Sequence, residues 1–275
     1  MTVIAMTREM GTLGKDVAAG VSEKLGIEVV HHEIVERQLA ERLQTSESAV
    51  HRFLEGEASL WERWKIDSKR VSRFTAEEVL DLAMRDNVLI RGWGAAQLLR
   101  DIPHVLCVRV CAPMANRIAE MRQRLQVDSA DVARREIERN DEAHDRAVRR
   151  QFHVDWRNAT GYDLVLNTGF VPIETAAAVL QQIAKSGAYE PSDASRAVLS
   201  DKLLEARVRS LLDVRLSDSP IGSSLGVKVR KGHVLLDGVV AHGDKLSVIA
   251  DEIEAIDGVT GLTNDTVSVP LSYGP

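Results

Sequence analysis

No stretch of the 275-residue chain approaches the ~18 consecutive apolar residues of a membrane-spanning helix. Nor do its opening residues place a basic segment ahead of an apolar core. The expectation is a cytoplasmic protein. Cationic excess is missing too: 35 Lys and Arg stand against 41 Asp and Glu, for a net charge of -6. That balance argues against a general nucleic-acid binder, because affinity for a phosphate backbone needs a basic surface. Cysteine is scarce, with Cys107 and Cys111 four positions apart on an apparent strand. An extended chain holds them too far apart for a disulfide, and no His or Cys accompanies them at ligand spacing. They read as two buried thiols rather than a metal site. What is present is ordinary globular material, 44% hydrophobic, enough for one large domain or two modest ones.

The chain is organised around Thr2 to Leu25. Val3, Ile4 and Ala5 read as a buried strand, and Val17, Val21 and Leu25 recur at helical spacing. Between them lies Thr7-Arg8-Glu9-Met10-Gly11-Thr12-Leu13-Gly14-Lys15-Asp16, the layout of a phosphate-binding loop. In such a loop, glycines let backbone N–H groups close around an anion at the positive end of a helix, and a lysine adds a movable charge. Against the pattern G-x-x-x-x-G-K-[ST], Gly14 and Lys15 fit. Glu9 stands where the first glycine belongs, and Asp16 where the magnesium-binding hydroxyl belongs. On spacing alone, an ordinary strand–turn–helix corner is the better reading.

The residues around this loop shift that balance. Arg8-Glu9-x-Gly11-x-x-Gly14-Lys15-Asp16-Val17-Ala18, with Glu23-Lys24-Leu25-Gly26-Ile27 behind it, resembles the opening of the cytidylate kinase-like family. That family carries a divergent loop of the form S-R-x-x-G-S-G-G-[RK]-[ET]. The resemblance implies a P-loop kinase-like α/β fold, ATP and Mg2+ as cofactors, and a nucleotide acceptor. It continues at Ile27-Glu28-Val29-Val30-His31-His32-Glu33-Ile34-Val35, where His31 replaces the family's aspartate. The two adjacent histidines diverge in direction and read as loop residues rather than metal ligands.

Residues 44 to 73 are polar and read as irregular, apart from Trp61 and Trp64. The resemblance makes this segment a flap whose aromatic stacks on a base; equally, two tryptophans three apart anchor a helix. Thr75-x-x-Glu78 reads as a capping box opening a helix through Arg85. A strand from Asn87 to Arg91 follows, then Gly92-Trp93-Gly94, a helix from Ala95 to Arg100, and a strand from Val105 to Val110. This alternation predicts a doubly wound parallel sheet, with the glycine turns at Gly11 and Gly92 facing one crevice. The family's V-I-V-G-R-G-G has an arginine for the acceptor phosphate where this chain has Trp93. An indole cannot replace that guanidinium. Arg91, two residues back on the same side of an extended chain, is the compensating candidate or else a structural charge.

Residues 117 to 157 read as helical and contain ten arginines. Interleaved with Glu136, Glu138 and Asp141, most read as a solvated face. Arg139-Asn140-Asp141-x-x-His144-Asp145-Arg146 nevertheless resembles the family's lid, whose arginines close over the transferring phosphoryl group. His144 replaces one lid arginine, so Arg139, Asp141 and Arg146 carry over, with Arg150 as a further candidate. Asp155-Trp156 and Tyr162-Asp163-Leu164-Val165-Leu166-Asn167-Thr168, followed by a helix from Pro172 to Ile183, match the end of the family pattern.

This first domain spans residues 1–186. Residues 187–195 read as a linker, and residues 196–270 as a small α+β domain. The latter runs helix (196–212), hairpin through Lys231-Gly232, helix (244–256) and strand (262–269). It resembles a BON domain on Gly232-x-Val234-x-Leu236-x-Gly238-x-Val240, Ile256-Asp257-Gly258-Val259 and Asn264. BON domains are associated with phospholipid or protein partners.

Two functional expectations follow. The first is a phosphotransferase moving the ATP γ-phosphoryl to CMP or a related acceptor. Lys15, Arg139 and Arg146 would be its catalytic residues. Arg8, Gly11, Thr12, Gly14, Lys15, Asp16, Arg91, Trp93, Asp141 and Arg150 would hold the nucleotides. Asp16 would meet Mg2+ or a water on it, although its charge also repels phosphate. The second is a degenerate nucleotide-binding module whose BON-like domain recruits a partner. The altered positions His31, Trp93 and His144 favour it.

Overall fold

The computed structural model describes residues 2–30, 32–54, 68–92, 94–216, 225–240 and 243–268. His31, Trp61, Trp64 and Trp93 lie outside the described residues. Five strands form one sheet: β1 (Val3–Arg8), β2 (Glu28–Val30), β3 (Val88–Arg91), β4 (Val105–Cys111) and β5 (Leu164–Asn167). All are parallel, in the order β2-β3-β1-β4-β5. The strands read as near-continuous apolar runs because both sheet faces are covered. Alternate side chains serve opposite cores. Val3, Ala5, Val88, Ile90, Val105 and Cys107 enter one, and Ile4, Met6, Leu89, Leu106 and Val108 enter the other.

The second core is closed by α1 (Gly14–Leu25) and α8 (Ile173–Ala184), the first by α2 (His32–Leu43), α4 (Ser68–Met84) and α5 (Ala95–Leu99). A short helix, α3 (Glu47–Leu54), and the pair α6 (Met114–Leu125) and α7 (Ala130–Phe152) complete this unit.

Three local expectations are corrected. Within residues 44–73, α3 and the first turns of α4 are regular. Thr75 does not cap a helix: α4 runs through it, because the buried stripe Val71, Phe74, Val79 and Leu82 continues on both sides. Its hydroxyl donates to the Val71 carbonyl at 2.7 Å, and Glu78 pairs with Arg42 at 3.1 Å. The helical span 117–157 is two helices. Gln126 takes a left-handed conformation that ends α6, and the Ser129 side chain accepts the Val132 N–H to start α7.

The C-terminal sheet consists of β6 (Gly226–Arg230), β7 (His233–Val240) and β8 (Gly261–Ser268), with α10 (Gly243–Glu254) packed on it. β6 and β7 form the expected hairpin, with Lys231 and Gly232 both at positive φ, as a two-residue turn requires. β8 lies parallel to β7. The helix expected to open the second domain, α9 (Asp193–Arg215), belongs to both units. Leu199, Leu203 and Ala206 enter the first core, whereas Val208 and Leu212 enter the C-terminal core with Val227, Leu236 and Ile253. The segment 187–195 is likewise anchored, since Tyr189 packs against the core under α1 and Ser192 caps α9.

Candidate functional site

Strand β1 carries the chain to the carboxyl edge of the sheet, where residues 9–13 turn it into α1. Two glycines are needed there. Gly11 has φ 75°, and a Cβ on it would stand 2.8 Å from the Arg117 carbonyl on α6. A Cβ on Gly14 would meet the Arg8 side chain at 2.8 Å. Thr12 is buried; its hydroxyl donates to the Glu9 carbonyl at 2.8 Å, and its own carbonyl accepts the Thr168 hydroxyl at 2.6 Å. The Leu13 carbonyl accepts from Asp16 and Val17. The N–H groups of Gly14 and Lys15 precede those bonds, and the first turn of a helix supplies no acceptor for them. Lys15 and Asp16 are exposed beside them.

Beneath the loop is a group of buried charges. Glu9 pairs with Arg109 on β4 and, at 3.4 Å, with Arg117 on α6. Arg117 donates from Nε to the Met10 carbonyl at 2.7 Å and forks onto Asp141 of α7 at 2.9 and 2.7 Å. Arg109 also donates to the Arg157 carbonyl at 2.7 Å. The bidentate geometry and the near balance of charge make such a cluster tolerable away from water.

Alongside lies a cleft of about 320 Å3. Thr7, Arg8 and Met10 at the end of β1 meet Arg91, Gly92 and Gly94 at the end of β3. Asn140, His144, Ala147, Val148, Gln151 and Phe152 of α7 form the facing wall. Those positions fall on one helical stripe. Arg124, Thr75 and His51 also border it. Among the described residues no carboxylate lines the cleft, whereas three arginines and two histidines do. Its aromatic floor is Trp156, 1% exposed, with His144 edge-on at 4.4 Å and the Arg109 and Arg157 guanidinium groups 5.4 and 5.5 Å from its ring. The Tyr162 hydroxyl donates to the Trp156 carbonyl at 2.7 Å, and burial raises that phenol's pKa. His51 is held through Nδ1 by the buried Glu36 carboxylate, 2.9 Å away.

Of the residues singled out in the sequence, the structure brings Arg8, Arg91 and His144 to this cleft. Gly11, Thr12, Gly14, Lys15 and Asp16 form the neighbouring loop. Asp141 is engaged by Arg117 and is buried rather than presented to a nucleotide. Arg139, Arg146 and Arg150 are exposed and do not line the cleft; Arg139 pairs with Glu136 at 2.9 Å and Arg146 with Glu142 at 3.4 Å. Both cysteines are poor nucleophiles: burial pushes Cys107 up to about 12, and burial followed by the Glu9 charge raises Cys111.

Sequence reasoning missed Glu9, Arg109 and Arg117 as one unit, and the Glu36–His51 pair. Arg117 carried a signal: it adjoins Ile118 and lies one turn before Met121, on the apolar side of α6.

A parallel sheet in this order, with a glycine loop leading from its central strand into a helix and a cationic cleft alongside, defines a P-loop kinase-like α/β protein. Residues 3–169, more than half of the chain, match the cytidylate kinase-like family, and the chain belongs to it. A comparison with curated proteins finds no match. Among solved structures, an uncharacterized protein from Eubacterium ventriosum shares 16% identity at a TM-score of 0.54, covering 68% of this chain and 99% of its own. Shikimate kinase from Bacteroides thetaiotaomicron shares 15% at 0.43, covering 67% and 99%. Shikimate kinase from Acinetobacter baumannii shares 14% at 0.38, covering 66% and 92%. The first of these likenesses concerns the fold alone, and the other two carry no argument.

Proposed function

We propose that this protein is a phosphotransferase that moves the γ-phosphoryl of ATP to CMP or a related anionic nucleotide held in the cleft. The observation that carries this reading is the cleft's lining: Arg8, Arg91 and Arg124 border it, and no carboxylate among the described residues does. An acceptor phosphate is already ionised near neutral pH, so its oxygen can attack without a carboxylate base. Asn140 and Gln151 on the facing wall supply amide groups suited to a base edge.

The donor phosphates would lie on Gly11, Gly14 and Lys15, where two N–H groups at the start of α1 and the lysine ammonium face an anion. Mg2+ is held mainly by phosphate oxygens and water in such sites, with one or two carboxylates from the protein. The exposed Asp16, next to Lys15, fits that requirement. When bound, the metal neutralises charge on the donor. The chain's own groups would orient both nucleotides.

One observation favours the alternative, a nucleotide-binding module without turnover. Arg139 and Arg146 lie on the exposed side of α7, away from the cleft wall. In that reading the C-terminal unit, BON-like in its sequence motifs, recruits a phospholipid or protein partner.

Calorimetric titration with ATP, followed by a coupled assay of ADP release with each common nucleoside monophosphate, tests both. Lys15→Ala should weaken ATP binding by about 1.5–3 kcal/mol, roughly tenfold or more. ATP binding without release of ADP for any acceptor would select the alternative. Unchanged ATP affinity in a folded Lys15→Ala protein would remove the phosphate loop from both readings.

A further inference from the structure

We infer that Arg117 is a positioning residue of the phosphate loop, neutralising Glu9 and bracing the loop against α7. This rests on the reading that the loop holds the ATP phosphates.

The inference begins from Glu9, which occupies the first-glycine position of a phosphate loop. A carboxylate there would repel the polyphosphate if its charge were uncompensated. In this fold the side chain turns inward instead, 7% exposed, onto Arg109 and Arg117. Glu9, Asp141, Arg109 and Arg117 are each less than a tenth exposed, and their two negative and two positive charges balance.

Arg117 alone among these four contacts both carboxylates and the loop backbone. Its Nε fixes the Met10 carbonyl, one Nη reaches Glu9, and both Nη atoms hold Asp141. Its own carbonyl is the wall against which Gly11 is pressed. The loop backbone from residue 9 to residue 11 is therefore shaped by one side chain and the helix that carries it. Asp141 extends the constraint, because its neighbours Asn140 and His144 line the cleft. This guanidinium links the loop to the helix of the cleft wall, alongside Met10, which packs on the apolar cluster holding Ala133 and Ile137 of α7. At 4% exposed and fully engaged, Arg117 is placed to hold the loop rather than to meet a nucleotide.

The test is ATP affinity by calorimetry on the full chain, for the native protein, Lys15→Ala, Arg117→Lys and the double variant Arg117→Met/Asp141→Asn, with a urea unfolding curve for each. The double variant removes one charge of each sign and leaves Glu9 paired with Arg109, so the buried charges still balance. It should bind ATP about tenfold or more weakly, the scale on which one charge-assisted contact registers. Arg117→Lys keeps the charge without the planar fork, and it should recover part of that loss. A purely structural role predicts no such graded rescue at equal folded fraction. Native-like ATP affinity in the folded double variant, with Lys15→Ala still weakened, would overturn the role of Arg117 and leave the phosphate loop standing. Should the double variant unfold, Arg117→Lys decides by the same comparison: reduced affinity supports the role and native-like affinity overturns it. Equal affinity of the native protein and Lys15→Ala, or no ATP binding by either, would overturn the loop assignment and this inference together.

Discussion

The two sides of α7 put the same chemistry in opposite circumstances. On one side Asp141 is buried in a bidentate pair with Arg117, within a group of charges sealed beneath the phosphate loop. On the other, the exposed Arg139, Arg146 and Arg149 pair with Glu136, Glu142 and Asp145 of their own helix at the protein surface. Water screens the second set, and such pairs contribute little to stability. The first set has no water to fall back on, so each charge depends on its partner. Counting ion pairs along the helix would rank the two sides as equals; burial separates them.

The largest effect expected from breaking this contrast is at Arg117. Arg117→Met strands Glu9 and Asp141 without one of their counter-charges, and should cost about 3–5 kcal/mol in a urea unfolding curve. A loss below about 1 kcal/mol, the range of a surface pair, would erase the distinction between the two sides.

Next is Leu203 on α9, buried in the first core although it lies beyond the expected domain boundary. Leu203→Ala should destabilise by about 2–5 kcal/mol, as for a large-to-small core change. It should do so in the transition of the unit containing the five-stranded sheet. An unchanged transition there, or recovery of residues 1–190 as a fully stable fragment, would restore a boundary before α9.

A smaller effect belongs to a buried group with no counter-charge in contact. His104 is 1% exposed, neither ring nitrogen has a partner among the described residues, and burial lowers its pKa, the nearby Asp86 opposing that shift. Above its unfolded value, about 6.5, the imidazole is neutral in both states and stability is indifferent to pH. As pH falls below that value the unfolded chain takes up a proton that the folded protein refuses. Stability therefore drops until pH passes the lower, folded value. His104→Leu should remove this component. The difference between native and variant urea midpoints should then shrink or change sign between about pH 7.5 and about pH 5.5, and a constant difference would contradict it.

The smallest effect is expected at Arg146. Arg146→Met should change stability by no more than about 0.5 kcal/mol, because the side chain is exposed and its pair with Glu142 is screened. A drop in ADP release without a change in stability would return Arg146 to the phosphoryl-transfer machinery. That result would weigh against the module without turnover.

The elements were legible in the sequence wherever an apolar period ran uninterrupted. β3, β4 and β5 fall within a residue or two of their expected places, as do the Lys231-Gly232 hairpin and β8, whereas β1 runs three residues past Ala5 to take in Thr7 and Arg8, expected in the loop. The signal failed at Thr75, where a local polar pattern imitated a helix start and the buried stripe on either side overrode it. It failed again at 126–129, where one left-handed residue divides what reads as a continuous helix. At the candidate site, the loop was visible because Gly11, Gly14 and Lys15 are adjacent in the chain, and Arg91 because a strand alternates.

By itself, then, the sequence determined the parallel α/β fold, the position of the glycine loop and the family to which the chain belongs. All three rest on local periodicity and on motifs whose residues are neighbours along the backbone. Only the tertiary structure decided that Glu9 turns inward, that Arg117 and Asp141 meet across 24 positions, that Arg139 and Arg146 face outward, and that α9 serves two cores. The physical reason is that a charged side chain has no intrinsic preference among these fates. Its role depends on whether water or a partner from a distant segment reaches it, and that is settled only when the helices pack on the sheet.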